Sequence, residues 1–141
     1  MADTYIFHMD AKSVADEGDE LSIQAKFIGR MKNLAPGVRI VATPNGGNRT
    51  AWEKMRAKRE GMWRGWPDVA CYWSNGIDAS AVPGWAHIEF KAGNGSLSLD
   101  QIEALNWLHR HGFPCGVFRS VETAIAFVRR QGAPFALEQV A

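Results

Sequence analysis

The stretch Trp85-Ala86-His87-Ile88-Glu89-Phe90-Lys91 constrains this chain more than any other. Its period of two reads as a strand, with Ala86, Ile88 and Phe90 on one face and Trp85, His87, Glu89 and Lys91 on the other. A carboxylate and an ammonium therefore point the same way, which is costly inside a sheet unless each finds a partner. Upstream, Trp66-Pro67-Asp68 opens a second predicted strand, Trp66 to Trp73, and the turn-rich Ser74 to Pro83 predicts a hairpin between the two. Two carboxylates and one amine then converge. Carboxylate oxygens suit a hard cation such as Mg²⁺, which keeps several waters and binds through one or two carboxylates plus substrate phosphates. An amine beside it can orient a water or offset charge on a phosphate. The residue types point to metal-assisted hydrolysis of a phosphodiester. Two blander readings stay open: Glu89 and Lys91 pair only with each other, and Asp68 only caps its strand.

Local patterning supplies the remaining elements. Residues 1–17 show no clear period and read as a poorly ordered leader, leaving 18–141 as one domain. A first helix is predicted over Gly18 to Leu34, with Leu21, Gln24, Ile28, Met31 and Ala35 on its apolar face. Pro36-Gly37 stops it, and Val38 to Thr43 reads as a strand. Pro44-Asn45-Gly46-Gly47-Asn48 is a turn. Thr50 to Glu60 reads as a short basic helix, with Thr50 and Glu53 as a capping box. A further helix starts at Ser98, with Gln101 completing a second capping box and Gly112 just past its end. Pro114 to Arg119 is a fourth strand, and Ser120 caps a last helix whose Val121, Ala124, Ile125 and Val128 repeat at helical spacing.

Composition excludes several classes. With 46% hydrophobic and 22% charged residues the chain can bury a core and is not disordered. No apolar run approaches the roughly 20 residues needed to span a bilayer. Met1-Ala2-Asp3-Thr4 lacks the regions of a signal peptide, so the expectation is a cytoplasmic protein in which Cys71 and Cys115 are reduced core residues. His109-Arg110-His111 lacks the further ligands that zinc needs.

The formal net charge of +1 is unevenly spread. Arg49, Lys54, Arg56, Lys58, Arg59 and Arg64 are opposed over their segment only by Glu53 and Glu60. A solvated helix surface explains many such runs. This one contains Trp52, Trp63 and Trp66 and leads into Pro67-Asp68, which fits phosphate tracking with base stacking.

Pro67-Asp68 and Glu89-Phe90-Lys91, set among a helix, three strands, a helix and a further strand, resemble the PD-(D/E)XK nuclease core. Glu20-Leu21-Ser22-Ile23-Gln24, Thr43-Pro44-Asn45-Gly46-Gly47, the Gly61 to Gly65 lead-in and Gly95-Ser96-Leu97-Ser98 before Gln101 narrow the resemblance to its VRR-NUC branch. That resemblance implies an α/β restriction-endonuclease-like fold, with a mixed four-stranded sheet flanked by helices. It implies that Asp68 and Glu89 hold Mg²⁺ or Mn²⁺, with the Phe90 carbonyl as a further ligand and Glu20 near the metal. Lys91 would position the attacking water, Gln101 would orient Lys91 or the substrate, and Asn45 would touch phosphate.

Asn45 also has a plain role as a turn former, Gln101 as a cap, and Glu20 as an acid at a helix start. Asp16, Glu17 and Asp19 compete with Glu20. The short chain resembles small phage or bacterial members associated with Holliday-junction resolution and DNA repair, so the expected partners are branched DNA and a second copy in a homodimer. A non-catalytic DNA-binding module and an RNA-processing nuclease are the alternatives.

Overall fold

A computed structural model of the chain describes residues 6–12, 18–44 and 50–136. Five strands form one mixed sheet: β1 (His8–Met9), β2 (Arg39–Ala42), β3 (Val69–Ser74), β4 (Pro83–Phe90) and β5 (Cys115–Phe118). Their spatial order is β1-β5-β4-β3-β2. β2, β3 and β4 form an antiparallel meander, whereas β5 runs parallel to β4 and β1 parallel to β5. Among the described residues four α-helices accompany them: α1 (Glu20–Leu34), α2 (Ala51–Arg59), α3 (Leu99–Arg110) and α4 (Val121–Arg130).

The sheet is covered on both faces, which is why its central strand carries almost no exposed residue. On one side Ile23, Phe27 and Met31 of α1 and Ala124, Ile125 and Val128 of α4 pack on Val69, Cys71, Ala86, Ile88 and Phe90. On the other, Leu105 and Leu108 of α3 meet Cys115, Val117 and Phe7. Arg30 on α1 pairs with Glu122 on α4 across their outer surface. Both cysteines are buried and free, and burial pushes each thiol up to about 12.

Two expectations change. The sheet has five strands, because His8–Met9, within the stretch read as leader, pairs with β5. Two residues are too short a run to show a period. Of the predicted apolar face of α1, Met31 and Ala35 are buried and Ile28 packs against the core, but Ile23 and Phe27 take the inward positions expected for Leu21 and Gln24, and Leu21 is 72% exposed. Both stripes have helical spacing, so periodicity could not choose between them. The expected Pro44 to Asn48 turn lies, after Pro44, outside the described residues.

Terminal chemistry follows the expected pattern. Ser98 Oγ accepts from the Gln101 amide at 3.2 Å while Gln101 Oε1 accepts from the Ser98 amide at 2.9 Å, a complete capping box. Gly112, at φ +83°, takes the left-handed position after the α3 C-terminus that a β-carbon would disfavour. Thr50 caps α2 by accepting from the Glu53 amide at 3.1 Å, but the Glu53 carboxylate accepts from the Thr50 hydroxyl at 3.0 Å and not from its backbone amide, so only half of the expected box forms.

Candidate nuclease site

Glu89 is the centre of the site. It sits on the central strand and is 2% exposed. Its Oε1 accepts from Gln101 Nε2 at 2.6 Å. Its Oε2 is buried and has no hydrogen-bond donor facing it. Burial first, and then the charge of the neighbouring Asp68, push the Glu89 carboxyl up to about 10; Lys91 pulls it down and Glu20 adds to the rise. Two carboxylates so close in a low-dielectric setting need a proton or a cation between them.

Asp68 comes from the adjacent edge of the hairpin, immediately before β3. Its Oδ2 accepts from the backbone amide of Phe90 at 2.8 Å, and its carbonyl accepts from the Thr43 amide at 2.8 Å. The side chain is thereby locked against the strand that carries Glu89. Lys91 follows one pleat further, with its backbone amide donating to the Phe118 carbonyl at 3.0 Å. Its ammonium lies 3.7 Å from Glu20 Oε1 at the start of α1. Asp19, the competitor of Glu20, is occupied as the α1 cap, accepting from the Ser22 amide at 2.7 Å. That bond, and then a second from the Ser22 side chain, hold its carboxyl below its ordinary range. Asp16 and Glu17 lie outside the described residues.

The fold thus brings Glu20, Asp68, Glu89, Lys91 and Gln101 together from α1, the β3–β4 hairpin and α3. One detail differs from expectation: Gln101 reaches Glu89, not Lys91, and it does so while completing its capping box. Among the described residues no group of three or more His, Cys, Asp and Glu side chains forms a metal cage. The orphaned Glu89 oxygen beside Asp68 nevertheless fits an open cation site that uses two carboxylates and water, as Mg²⁺ prefers.

The basic residues lie apart from this centre. Lys54, Arg56, Lys58 and Arg59 ride on α2, which buries none of its residues. Arg56 is held by Glu60 at 2.8 Å and lies over the Trp52 ring at 5.6 Å. Arg64 is nearer the centre, 3.4 Å from Asp100 in the first turn of α3. Asn45 and Arg49 fall outside the described residues. Of the tryptophans, Trp52 and Trp63 are exposed, and Trp66 and Trp85 are half-buried among rings.

Sequence reasoning missed a second buried cluster behind Lys91. Asp10 accepts from the Arg119 amide at 2.9 Å, from Thr123 Oγ1 and from His8 Nε2 at 2.8 Å. Arg119 is almost completely buried, and its guanidinium donates to the carbonyls of Asp10 at 3.2 Å and Gly93 at 2.9 Å. Gly93 belongs to the turn that follows Lys91, so this arginine braces the end of the strand. The only local signal was a charged residue closing the apolar strand at Arg119.

A mixed sheet covered by helices, with a Pro-Asp and a Glu-x-Lys meeting at its centre, defines a restriction-endonuclease-like α/β fold. The VRR-NUC domain matches residues 11–122, and the chain belongs to that nuclease-type family. A solved structure described as a VRR_NUC domain protein superposes with a TM-score of 0.59 at 18% identity, covering 84% of this chain and 91% of that one. No curated protein matches the chain. Membership in the family implies nuclease activity with DNA as the substrate class. Among the described residues no helix is long and apolar enough to cross a membrane.

Proposed function

We propose that this protein is a Mg²⁺- or Mn²⁺-dependent endodeoxyribonuclease whose chemistry is carried by Asp68, Glu89 and Lys91. The supporting observation is the buried Glu89 Oε2, which has no hydrogen-bond partner, on a carboxyl that feels the charges of both Asp68 and Lys91. Asp68, Glu89 and the Phe90 carbonyl would hold the cation, with Glu20 assisting through water. Such a cation, when bound, polarises a phosphoryl oxygen and lowers the pKa of a coordinated water. Gln101 keeps Glu89 Oε1 occupied, so that Oε2 is the oxygen left for a ligand. Lys91, tethered by Glu20, orients the attacking water and offsets the negative charge that builds on the phosphate as the new P–O bond forms and the ester P–O bond breaks.

The test is a panel of labelled junction, flap, duplex and single-stranded DNA and RNA substrates, with Mg²⁺ and with EDTA. Glu89→Ala and Lys91→Ala each lose about 100-fold or more of the cleavage rate while keeping DNA affinity. Full activity in EDTA, or wild-type cutting by Lys91→Ala, overturns the reading.

We extend the proposal to a homodimer acting on branched DNA, four-way junctions included. One site cuts one strand, and a two-fold interface supplies the second. The exposed Trp52 and Met55 on α2 offer apolar anchors beside its basic residues. A solution mass near 15.6 kDa by light scattering contradicts the dimer, and equal cleavage rates on duplex and junction contradict the branched substrate.

A further inference from the structure

Next to the candidate site lies a cleft of about 210 Å³ lined by Trp63, Trp66, Glu103, Ala104 and Trp107. Trp63 is 64% exposed and Trp107 49%. Exposed indoles are costly in water, and these are not loosely held. Trp107 lies 6.4 Å from Trp66, 4.3 Å from His111 and, nearly parallel, 6.0 Å from Phe113. The segment bearing Trp63 and Trp66 is pressed on the start of α3: a β-carbon at Gly65 (φ +78°) would lie 2.4 Å from the Asp100 carbonyl carbon and 2.7 Å from the Gln101 amide nitrogen. Only glycine fits there.

The cleft and the site therefore share one frame. Ala104 lies one helix turn, about 5 Å, from the Gln101 that holds Glu89, and Trp66 is separated from Asp68 only by Pro67.

We propose that the Trp63–Trp66–Trp107 cleft is a stacking subsite for an unpaired nucleobase of the substrate, beside the phosphate to be cut. The inference rests on the nuclease reading above and specifies its substrate as nucleic acid with an unstacked base near the cleavage point. Charge divides the surface accordingly. Arg64 and the basic residues of α2 flank the cleft's Trp63 side in sequence and suit backbone phosphates. The cleft itself is lined by indole rings and the Glu103 carboxylate, which repels phosphate but accepts from the exocyclic amino group of a base. Indole faces stack any base, so the subsite is tolerant of sequence.

The experiment measures affinity in EDTA, where no cutting occurs on the proposed mechanism, for a labelled duplex with a single-stranded flap and for a blunt duplex of the same length. An RNA flap runs in parallel with the DNA one. Trp107→Ala and Trp63→Ala each weaken flap binding about 10-fold and leave duplex binding unchanged, and Trp107→Phe restores most of the loss. A flap in which the unpaired nucleotides are abasic binds the wild-type protein as weakly as the intact flap binds Trp107→Ala; this arm needs no variant and is immune to misfolding. Equal affinity for abasic and intact flaps overturns the proposal, as does an equal loss on flap and duplex. Dissociation of a wild-type dimer by either alanine, with base-independent affinity, assigns the cleft to a second copy instead. Because binding is read without metal, a protein that stacks bases but never cuts refutes the nuclease reading alone. One that cuts but ignores abasic substitution refutes only the subsite.

Discussion

Gln101 Nε2 donates to Glu89 Oε1 at 2.6 Å while Gln101 Oε1 accepts from the Ser98 amide at 2.9 Å. One side chain thus ties the start of α3 to the buried acid on the central strand. The two duties are separable. Ser98→Ala removes the hydroxyl half of the cap and costs about 1 kcal/mol of stability, with cleavage by the folded protein near wild type. Gln101→Ala also strips Glu89 of its donor, and cleavage falls about 10-fold or more beyond any stability loss. Parallel urea titrations and single-turnover rates check the pair; equal activity in both variants removes Gln101 from the site.

The metal-free protein loses stability as pH rises, and Glu89 is the reason. Its folded carboxyl titrates at about 10, against an ordinary value of 4.5 in the unfolded chain. The folded state holds a proton that the unfolded state releases, so the stabilisation is complete below the unfolded value and erodes until pH passes the folded one. Within that window each unit costs up to about 1.4 kcal/mol. His87 has the opposite sign: burial lowers its pKa, and its penalty grows only as pH falls below its ordinary 6.5. The thiols start to count only above their ordinary 9.0. Urea melts in EDTA between these limits therefore isolate Glu89. Glu89→Gln, whose amide mimics the protonated acid, flattens the slope; an unchanged slope assigns the effect elsewhere.

On α2 the expected effect is on affinity alone. Arg56→Ala combined with Arg59→Ala lowers the slope of log affinity against log salt by about 2, near 0.9 for each lost phosphate contact. Stability changes by about 0.5 kcal/mol or less, since the helix buries no residue and the exposed Arg56–Glu60 pair contributes little. A salt slope equal to that of the wild type shows that α2 does not meet the backbone.

The cluster behind Lys91 is structural first. Asp10→Ala leaves the buried Arg119 amide without its acceptor, while Thr123 keeps the Ser120 carbonyl at 3.1 Å, and costs about 2 kcal/mol. Asp10→Asn, which keeps an oxygen, costs less. Chemical denaturation measures both, and a neutral Asp10→Ala contradicts the assignment.

How far the chain could be read depended on range. The caps at Ser98 and Thr50, the alternation through Glu89 and Lys91, and the stop at Pro36-Gly37 are set within a few residues, where backbone geometry and amide partners are local. Those features place the elements and put Glu89 and Lys91 on one face without reference to any distant contact. The Pro-Asp and Glu-x-Lys residues also carried the family resemblance. What remained needed partners distant in sequence. The face of α1 that turns inward is chosen by Phe90 and α4, not by its own periodicity. The His8–Met9 strand exists because β5 leaves an edge for it, and Asp10 meets Arg119 across 109 positions. The amide of Gln101 has two ends, and the capping box accounts for only its oxygen. Only the packing of α3 on the sheet decided that the nitrogen would find Glu89, because a hydrogen bond depends on final distances that no local pattern encodes.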